Sequence, residues 1–362
     1  SAEEFFTLVR CGGAGFYRPC SEVLRMLTAG EAWGTAGAAL LVLPMAVSLL
    51  YGEKCALSFA LTILVALAVG FLLTKLCRGE HGSSSIKDGF MIVALTWIML
   101  SAIGALPFVF SREIPLYVDA FFETVSGFTT TGATILPDVE ALSRGMLFWR
   151  SFTHWIGGMG ILVFVVMLLK TPDRSINILK AEMPGPTVDK LAPKSKDTAR
   201  ILYLLYMALT VLEIVFLLLG GMSLFDSVVH ALSTAGTGGF GAYNASAANF
   251  SPYIQWVLTA FMFLFGVNFN AYFLLLMRRF RRAAASEEVR AYFVIIGVAV
   301  VIITANIYSM YNGLGEALRH AAFQVGSIIT TTGFSSCDFD LWPTLSKEIL
   351  VMLMFVGACA GS

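Results

Sequence analysis

Phe128-Thr129-Thr130-Thr131-Gly132-Ala133-Thr134, Thr234-Ala235-Gly236-Thr237-Gly238-Gly239-Phe240 and Ile329-Thr330-Thr331-Thr332-Gly333-Phe334-Ser335 are three versions of one short turn. Each follows a short amphipathic stretch, which itself follows a long apolar one. Gly132 and Gly238 are 106 residues apart, and Gly238 and Gly333 are 95 apart. A repeat of this period settles the architecture before any single element does. A Thr/Gly turn repeated inside an apolar chain suits an ion path lined by backbone carbonyls, which replace the hydration shell of a cation such as potassium.

The composition places the chain in a membrane. Of its 362 residues, 57% are hydrophobic and 13% charged, against roughly 25% charged in soluble domains, and its mean hydropathy is +0.78. The six cysteines (Cys11, Cys20, Cys55, Cys77, Cys337, Cys359) show no CxxC spacing and read as small packing residues rather than a disulfide framework or a zinc site. No cleavable signal pattern precedes the first apolar stretch near Trp33. There is no Walker A motif and no cluster of His, Cys or carboxylates, so the chain reads as no enzyme.

A helical span takes about 20 apolar residues. Candidates are Trp33–Gly52, Cys55–Thr74, Gly89–Ser111, Ser151–Leu169, Ile201–Leu219, Pro252–Met277 and Ala291–Gly315, with a last apolar run at Ile349–Ser362. Between them lie Leu116–Phe128, Leu224–Ser233 and Glu316–Ile328. At 1.5 Å per residue these are roughly 15–20 Å of helix, too short to cross. They suit re-entrant half-helices that end in the Thr/Gly turns. The unit is span, half-helix, Thr/Gly loop, span. The first two spans form a hairpin turned at Tyr51-Gly52-Glu53-Lys54 and look separate from the repeats.

Charge fixes the orientation. Of the 24 basic residues, 18 fall in the N-terminal segment and in three loops on the same side: Lys75 to Lys87, Lys170 to Arg200, and Arg278 to Arg290. The other six are Lys54, Arg112, Arg144, Arg150, Arg319 and Lys347. The positive-inside rule puts the larger set in the cytoplasm, with the N-terminus. All three Thr/Gly loops then enter from outside.

Backbone carbonyls supply several oxygen ligands to a dehydrated cation without adding charge. Glycine permits the dihedrals this needs, and the β-branch of threonine stiffens the strand beside it. A half-helix pointing its C-terminal end toward the membrane centre adds partial negative charge. The candidate filter residues are therefore Thr129, Thr130, Thr131, Gly132 and Ala133; Ala235, Gly236, Thr237, Gly238 and Gly239; and Thr330, Thr331, Thr332, Gly333 and Phe334. Potassium at these carbonyls is the expected transported ion, with no cofactor.

These motifs resemble those of the bacterial Trk/Ktr potassium-uptake superfamily, and more closely its TrkH-type membrane subunits. The matching stretches include Phe121 to Thr134, Trp155-Ile156-Gly157-Gly158-Met159-Gly160-Ile161, Ala181 to Pro186, Ser233 to Phe240, Gln324 to Phe334 and Gly357 to Ser362. The resemblance covers the chain from about residue 33 onward. It implies an all-α polytopic membrane protein: pseudo-fourfold repeats of span, pore helix, filter loop and span, with an extra N-terminal two-helix hairpin. On that plan residues 1–31 are a segment of unassigned role and 32–78 the hairpin. Residues 86–172, 198–282 and 288–362 are three repeats, the third ending in a gate loop and the fourth absent. The chain is accordingly read as a piece of a longer transporter. The key filter glycines map onto Gly132, Gly238 and Gly333, and the gate loop onto Gly357, Ala358, Cys359, Ala360, Gly361 and Ser362. The resemblance also implies Gly rather than Ser in the first repeat for potassium over sodium. It implies a homodimer in the bacterial inner membrane, contacts with membrane lipid, no nucleic acid, and a cytosolic ring of nucleotide-binding, TrkA-like regulatory subunits. That ring is expected on residues 170–200 and 278–290.

Other polar residues take blander readings. Glu213 is a buried structural acid or a functional one. His154 is a polar packing residue and His230 a brace for the second filter. Gly266-Val267-Asn268-Phe269-Asn270 faces the cavity or bonds a neighbouring helix. Arg278–Arg282 anchors the cytoplasmic face, and Asp338 and Asp340 are solvated loop acids. The competing reading is a cation-coupled secondary solute transporter, which would also use broken helices. It predicts inverted repeats, whereas all three repeats here run the same way.

Overall fold

The structure, a computed structural model, describes residues 30–76, 86–158, 160, 195–279 and 286–357. Every regular element in it is helical. Helices α1 (Gly30–Leu50) and α2 (Cys55–Leu76) form the expected hairpin. The backbone of Gly34 abuts that of Gly70, the close approach that small residues allow between membrane helices.

The third span is broken in two. Helix α3 (Ile86–Gly104) stops before Pro107, and α4 (Leu106–Ser111) resumes with that proline in its first turn. Proline has no N–H to donate back along a helix, and beside the interruption the indole of Trp149 donates to the Gly104 carbonyl at 3.0 Å. After a short loop comes α5 (Tyr117–Phe128), then α6 (Arg144–Gly158). The expected span Ser151–Leu169 thus begins seven residues early, at Arg144, and its part beyond Gly158 lies outside the described residues apart from Gly160.

The same order follows twice more. Helix α7 (Ser195–Leu219) is followed by short α8 (Leu224–Ala235), α9 (Pro252–Gly266) and α10 (Phe269–Leu276). Helix α11 (Glu287–Ile307) is followed by α12 (Leu314–Ile329) and α13 (Thr344–Val356). The expected continuous span Pro252–Met277 is a second correction, since the chain turns extended at Val267. Two tyrosines meet the carbonyls freed there: Tyr272 donates to Leu264 at 2.6 Å and Tyr292 to Phe263 at 3.2 Å. Backbone polar groups at membrane depth need such partners.

Among the described residues, four helical stretches are long and apolar enough to cross a membrane: 55–73, 94–111, 201–219 and 287–310. The short helices are not: α5 and α8 have 12 residues each, or about 18 Å. Ser223 caps α8, accepting from Asp226 N–H at 3.1 Å. Each of α8 and α12 lies between its own preceding long helix and the helix that follows the Thr/Gly turn of the unit before it: α8 between α7 and α6, α12 between α11 and α9. Helix α5 lies on α3 and α6 of its own unit. Each unit therefore packs on the one before it.

The hairpin is not separate from these units. Glu53, in its turn, caps α6 by accepting from Arg144 N–H at 2.8 Å and Gly145 N–H at 2.9 Å. The Arg144 guanidinium lies over the Tyr51 ring, 4.4 Å from its centre.

Candidate functional site

Each short helix ends in a turn of one geometry. Thr130, Thr237 and Thr331 take left-handed φ of 53°, 52° and 58°, and two residues later Gly132, Gly239 and Gly333 take 75°, 81° and 85°. This corrects the glycine register by one place: the counterpart of Gly132 and Gly333 is Gly239, and Gly238 stands where Thr131 and Thr332 stand. Two adjacent glycines hid this in the sequence. The turns are closed by backbone bonds into the helix ends, such as Thr131 N–H to Ser126 at 2.9 Å and Gly238 N–H to Ser233 at 3.0 Å.

The three segments lie side by side. A Cβ on Gly132 would collide with the Gly238 carbonyl oxygen, and one on Gly239 with the Thr332 carbonyl oxygen. Each glycine thus faces the carbonyl one place before the glycine of the next segment. At Gly333 nothing among the described residues lies within 4 Å of such a Cβ. The cycle of contacts runs from the first segment to the third and is open there.

Threonine hydroxyls stiffen the first and third segments. Thr129 donates to Val125 at 2.7 Å and lies 2.8 Å from the Thr131 hydroxyl. Thr330 donates to Gly326 at 2.7 Å and lies 2.7 Å from the Thr332 hydroxyl. The second segment has Gly236 and Gly238 at those places, and His154 of α6 fills the space. Its ring stacks on Phe240 at 4.0 Å between centres, and its Nδ1 lies 3.0 Å from the Ser233 hydroxyl. Phe240 N–H donates to Nδ1 at 3.4 Å, which makes that nitrogen an acceptor and leaves the ring proton on Nε2. His154 is fully buried, as a packing residue should be.

Counting nine residues back from each glycine gives Glu123, His230 and Gln324, all buried. His230 donates through Nδ1 to Asp226 O at 2.8 Å, and its ring meets Phe250 and Phe334. Gln324 donates to the Ser335 hydroxyl at 3.2 Å. Glu123 pairs with Arg150 at 2.7 Å, a buried ion pair that the sequence reading passed over. Its only signal was a charged residue inside each of two apolar elements.

Among the remaining candidates, Gly357 passes under the third segment, its Cβ position meeting the Ile329 carbonyl. Ala358, Cys359, Ala360, Gly361 and Ser362 lie outside the described residues, as do residues 1–29, the basic stretch 170–194, and Arg281 and Arg282. Cys55 and Cys337 are free thiols; the other four cysteines are likewise outside. Asn268 donates to Glu288 at 3.2 Å, one of the two roles expected of that patch. Buried Glu213 lies beside Thr234, whose hydroxyl donates to the His230 carbonyl at 2.8 Å. Asp338 and Asp340 are exposed. No group of His, Cys, Asp and Glu able to hold a metal ion occurs among the described residues.

The chain is also similar to known proteins. The family model TrkH, described as a cation transport protein, matches residues 56–362. The Trk system potassium uptake protein TrkH of Salmonella typhimurium is 37% identical over 329 residues, covering 89% of this chain and 68% of the relative. The Trk system potassium uptake protein TrkG of Escherichia coli is 34% identical over 326 residues, covering 88% and 67%. The crystal structure of the potassium transporter TrkH from Vibrio parahaemolyticus superposes with a TM-score of 0.76 at 31% identity, covering 94% of this chain and 71% of that one.

Proposed function

This chain belongs to the TrkH family of cation transport proteins, and on that premise we propose that it is the pore-forming subunit of a bacterial potassium-uptake system. Helices α5, α8 and α12 are its pore helices. The backbone of Thr129–Ala133, Ala235–Gly239 and Thr330–Phe334 carries the dehydrated ion. The observation that carries this reading is the run of contacts in which Gly132 faces the Gly238 carbonyl and Gly239 faces the Thr332 carbonyl. Like segments set around one axis give each unit the same neighbour on the same side. A fourth unit of the same kind, seated between Gly333 and the first segment, closes the ring.

The three repeats are residues 86–172, 198–282 and 288–362, with the loop from Gly357 to Ser362 as gate beneath the third segment. The N-terminus is cytoplasmic, which places the exposed Arg278 and Arg279 on the inner face. Two subunits pair in the membrane, and a nucleotide-binding ring docks on the basic inner loops; charge reversal there that leaves the complex intact would refute this docking.

The test of function is ion flux in liposomes with the full-length gene product, comparing potassium with sodium gradients for wild type and Gly132→Ser. Potassium-selective flux that becomes sodium-permeable in the variant supports a carbonyl filter. Flux of neither ion, or flux indifferent to Gly132, overturns it.

A further inference from the structure

Arg150 is 3% exposed, on α6, behind the outer end of the proposed filter. Burying a guanidinium is costly unless it is paired and hydrogen-bonded, and here its partners are Glu123 and the residues that directly follow the first and second filter strands. Its Nε donates to Glu123 at 2.7 Å. One terminal nitrogen donates to the Thr134 hydroxyl at 3.3 Å, two residues past Gly132. The other donates to the Gly241 carbonyl at 3.5 Å, two residues past Gly239. The guanidinium also lies over the Phe240 ring, 4.1 Å from its centre. Glu123 completes the figure by accepting from the Thr134 hydroxyl at 3.0 Å and from Ile135 N–H at 3.1 Å. A planar fork with fixed donor directions holds two strands at a set separation, which the point charge of a lysine does not.

Only the first unit has this device. The places matching Arg150, seven residues after the residue that precedes α9 and α13, are Leu258 and Leu350, and the places matching Glu123 are His230 and Gln324. The ion pair is thus not part of the repeated plan.

We propose that Arg150, held by Glu123, is the positioning residue that sets the spacing between the first and second filter strands, and through it the preference for potassium over sodium. This rests on the carbonyl-filter reading above. A strand spacing held from behind by hydrogen bonds to both strand ends lets the carbonyls keep a cavity suited to the larger ion, whereas slack strands close on the smaller one.

Spacing and charge make different predictions. Arg150→Met leaves a bare carboxylate beside the path, and Glu123→Gln leaves a bare guanidinium. An electrostatic role alone shifts the cation flux rate in opposite directions in the two, leaves the ion ratio alone, and is cancelled in the double variant. A spacing role lowers the potassium-to-sodium ratio in both single variants and in the double. The experiment measures that ratio in liposomes with the full-length protein, together with the difference between potassium and sodium in raising its melting temperature in detergent. The expected fall is roughly tenfold or more, the factor that loss of one charge-assisted hydrogen bond corresponds to. An unchanged ratio in the single variants, or a ratio restored in the double, overturns the proposal. If Arg150→Met does not fold, Arg150→Lys and Thr134→Val decide by the same two readouts. Wild-type protein with no potassium preference overturns the filter reading itself, and this proposal with it.

Discussion

Gly132→Ala separates the contact between filter segments from the simple cost of a left-handed residue. At φ 75° an alanine pays the steric penalty of that region, about 1–2 kcal/mol. Its methyl group also lands on the Gly238 carbonyl oxygen. That neighbour is backbone and cannot rotate away, so overpacking adds about 1–3 kcal/mol. Gly52 and Gly221 are the internal controls: their φ values are 68° and 83°, yet a Cβ on either meets nothing within 4 Å. Alanine there should cost the backbone penalty alone, about 1–2 kcal/mol, and leave ion preference untouched. The assay is the thermal inactivation rate of the purified protein in one lipid–detergent mixture, with potassium-to-sodium flux measured alongside. Gly132→Ala should inactivate well before both controls and should lose potassium preference, because the displaced carbonyl belongs to the second segment. A Gly132→Ala protein as stable and as selective as the two controls would refute the adjacency of the first and second segments.

Two further outcomes follow from the same contacts. Gly238→Thr, which would match the first and third segments, meets the His154 imidazole; it should be destabilising alone and largely rescued by His154→Ala, a coupling that a double-mutant cycle of thermal stabilities measures. Outside the spans, burial raises the Glu113 carboxyl above its ordinary value of 4.5, against the two bonds it accepts from Ser143. Folding therefore favours its protonated form: its contribution to stability is full below 4.5 and is lost as pH rises through the raised value. Glu113→Gln keeps a partner for Ser143 and should flatten the stability profile above 4.5; an unaltered profile counts against a half-buried, titrating Glu113.

The short helices were legible because length against bilayer thickness is a strong constraint. Leu116–Phe128 in the sequence became Tyr117–Phe128 in the structure, and Glu316–Ile328 became Leu314–Ile329. The breaks at Ala105 and Val267 were not legible from hydropathy, since the residues around them are as apolar as those of an unbroken helix. What makes the breaks stable is distant: the Trp149 indole for the first, and Tyr272 and Tyr292 for the second. The same holds for the ion pair. Glu123 and Arg150 are 27 residues apart on different helices, so no periodicity joins them. Gly238 was taken for the key glycine of its segment because a Gly-Gly pair offers two registers, and only the left-handed φ of Gly239 selects one. The hairpin looked detached because Glu53 shows no sign in sequence of capping a helix that starts 91 residues later.

The differences between the segments are as informative as their likeness. A ring of identical units would brace every strand alike, yet the three strands here are braced by an ion pair at Glu123, a stacked imidazole at His230 and an amide at Gln324. Likewise two segments carry a threonine pair where the second carries glycines backed by His154. The second segment is braced partly from the preceding unit: α6 of the first unit supplies both Arg150 to the Gly241 carbonyl and His154 to Phe240, whereas Glu123 and Gln324 find partners in their own units. A defect in α6 should therefore reach the first and second strands before the third. The third strand is tied instead to the loop that follows the second, through Ala247 N–H to the Ser335 carbonyl at 2.9 Å and Ser335 N–H to the Ser246 hydroxyl at 3.1 Å. The three segments thus share one backbone turn with a different brace behind each copy, and the ion preference proposed above rests on those braces as well as on the turn.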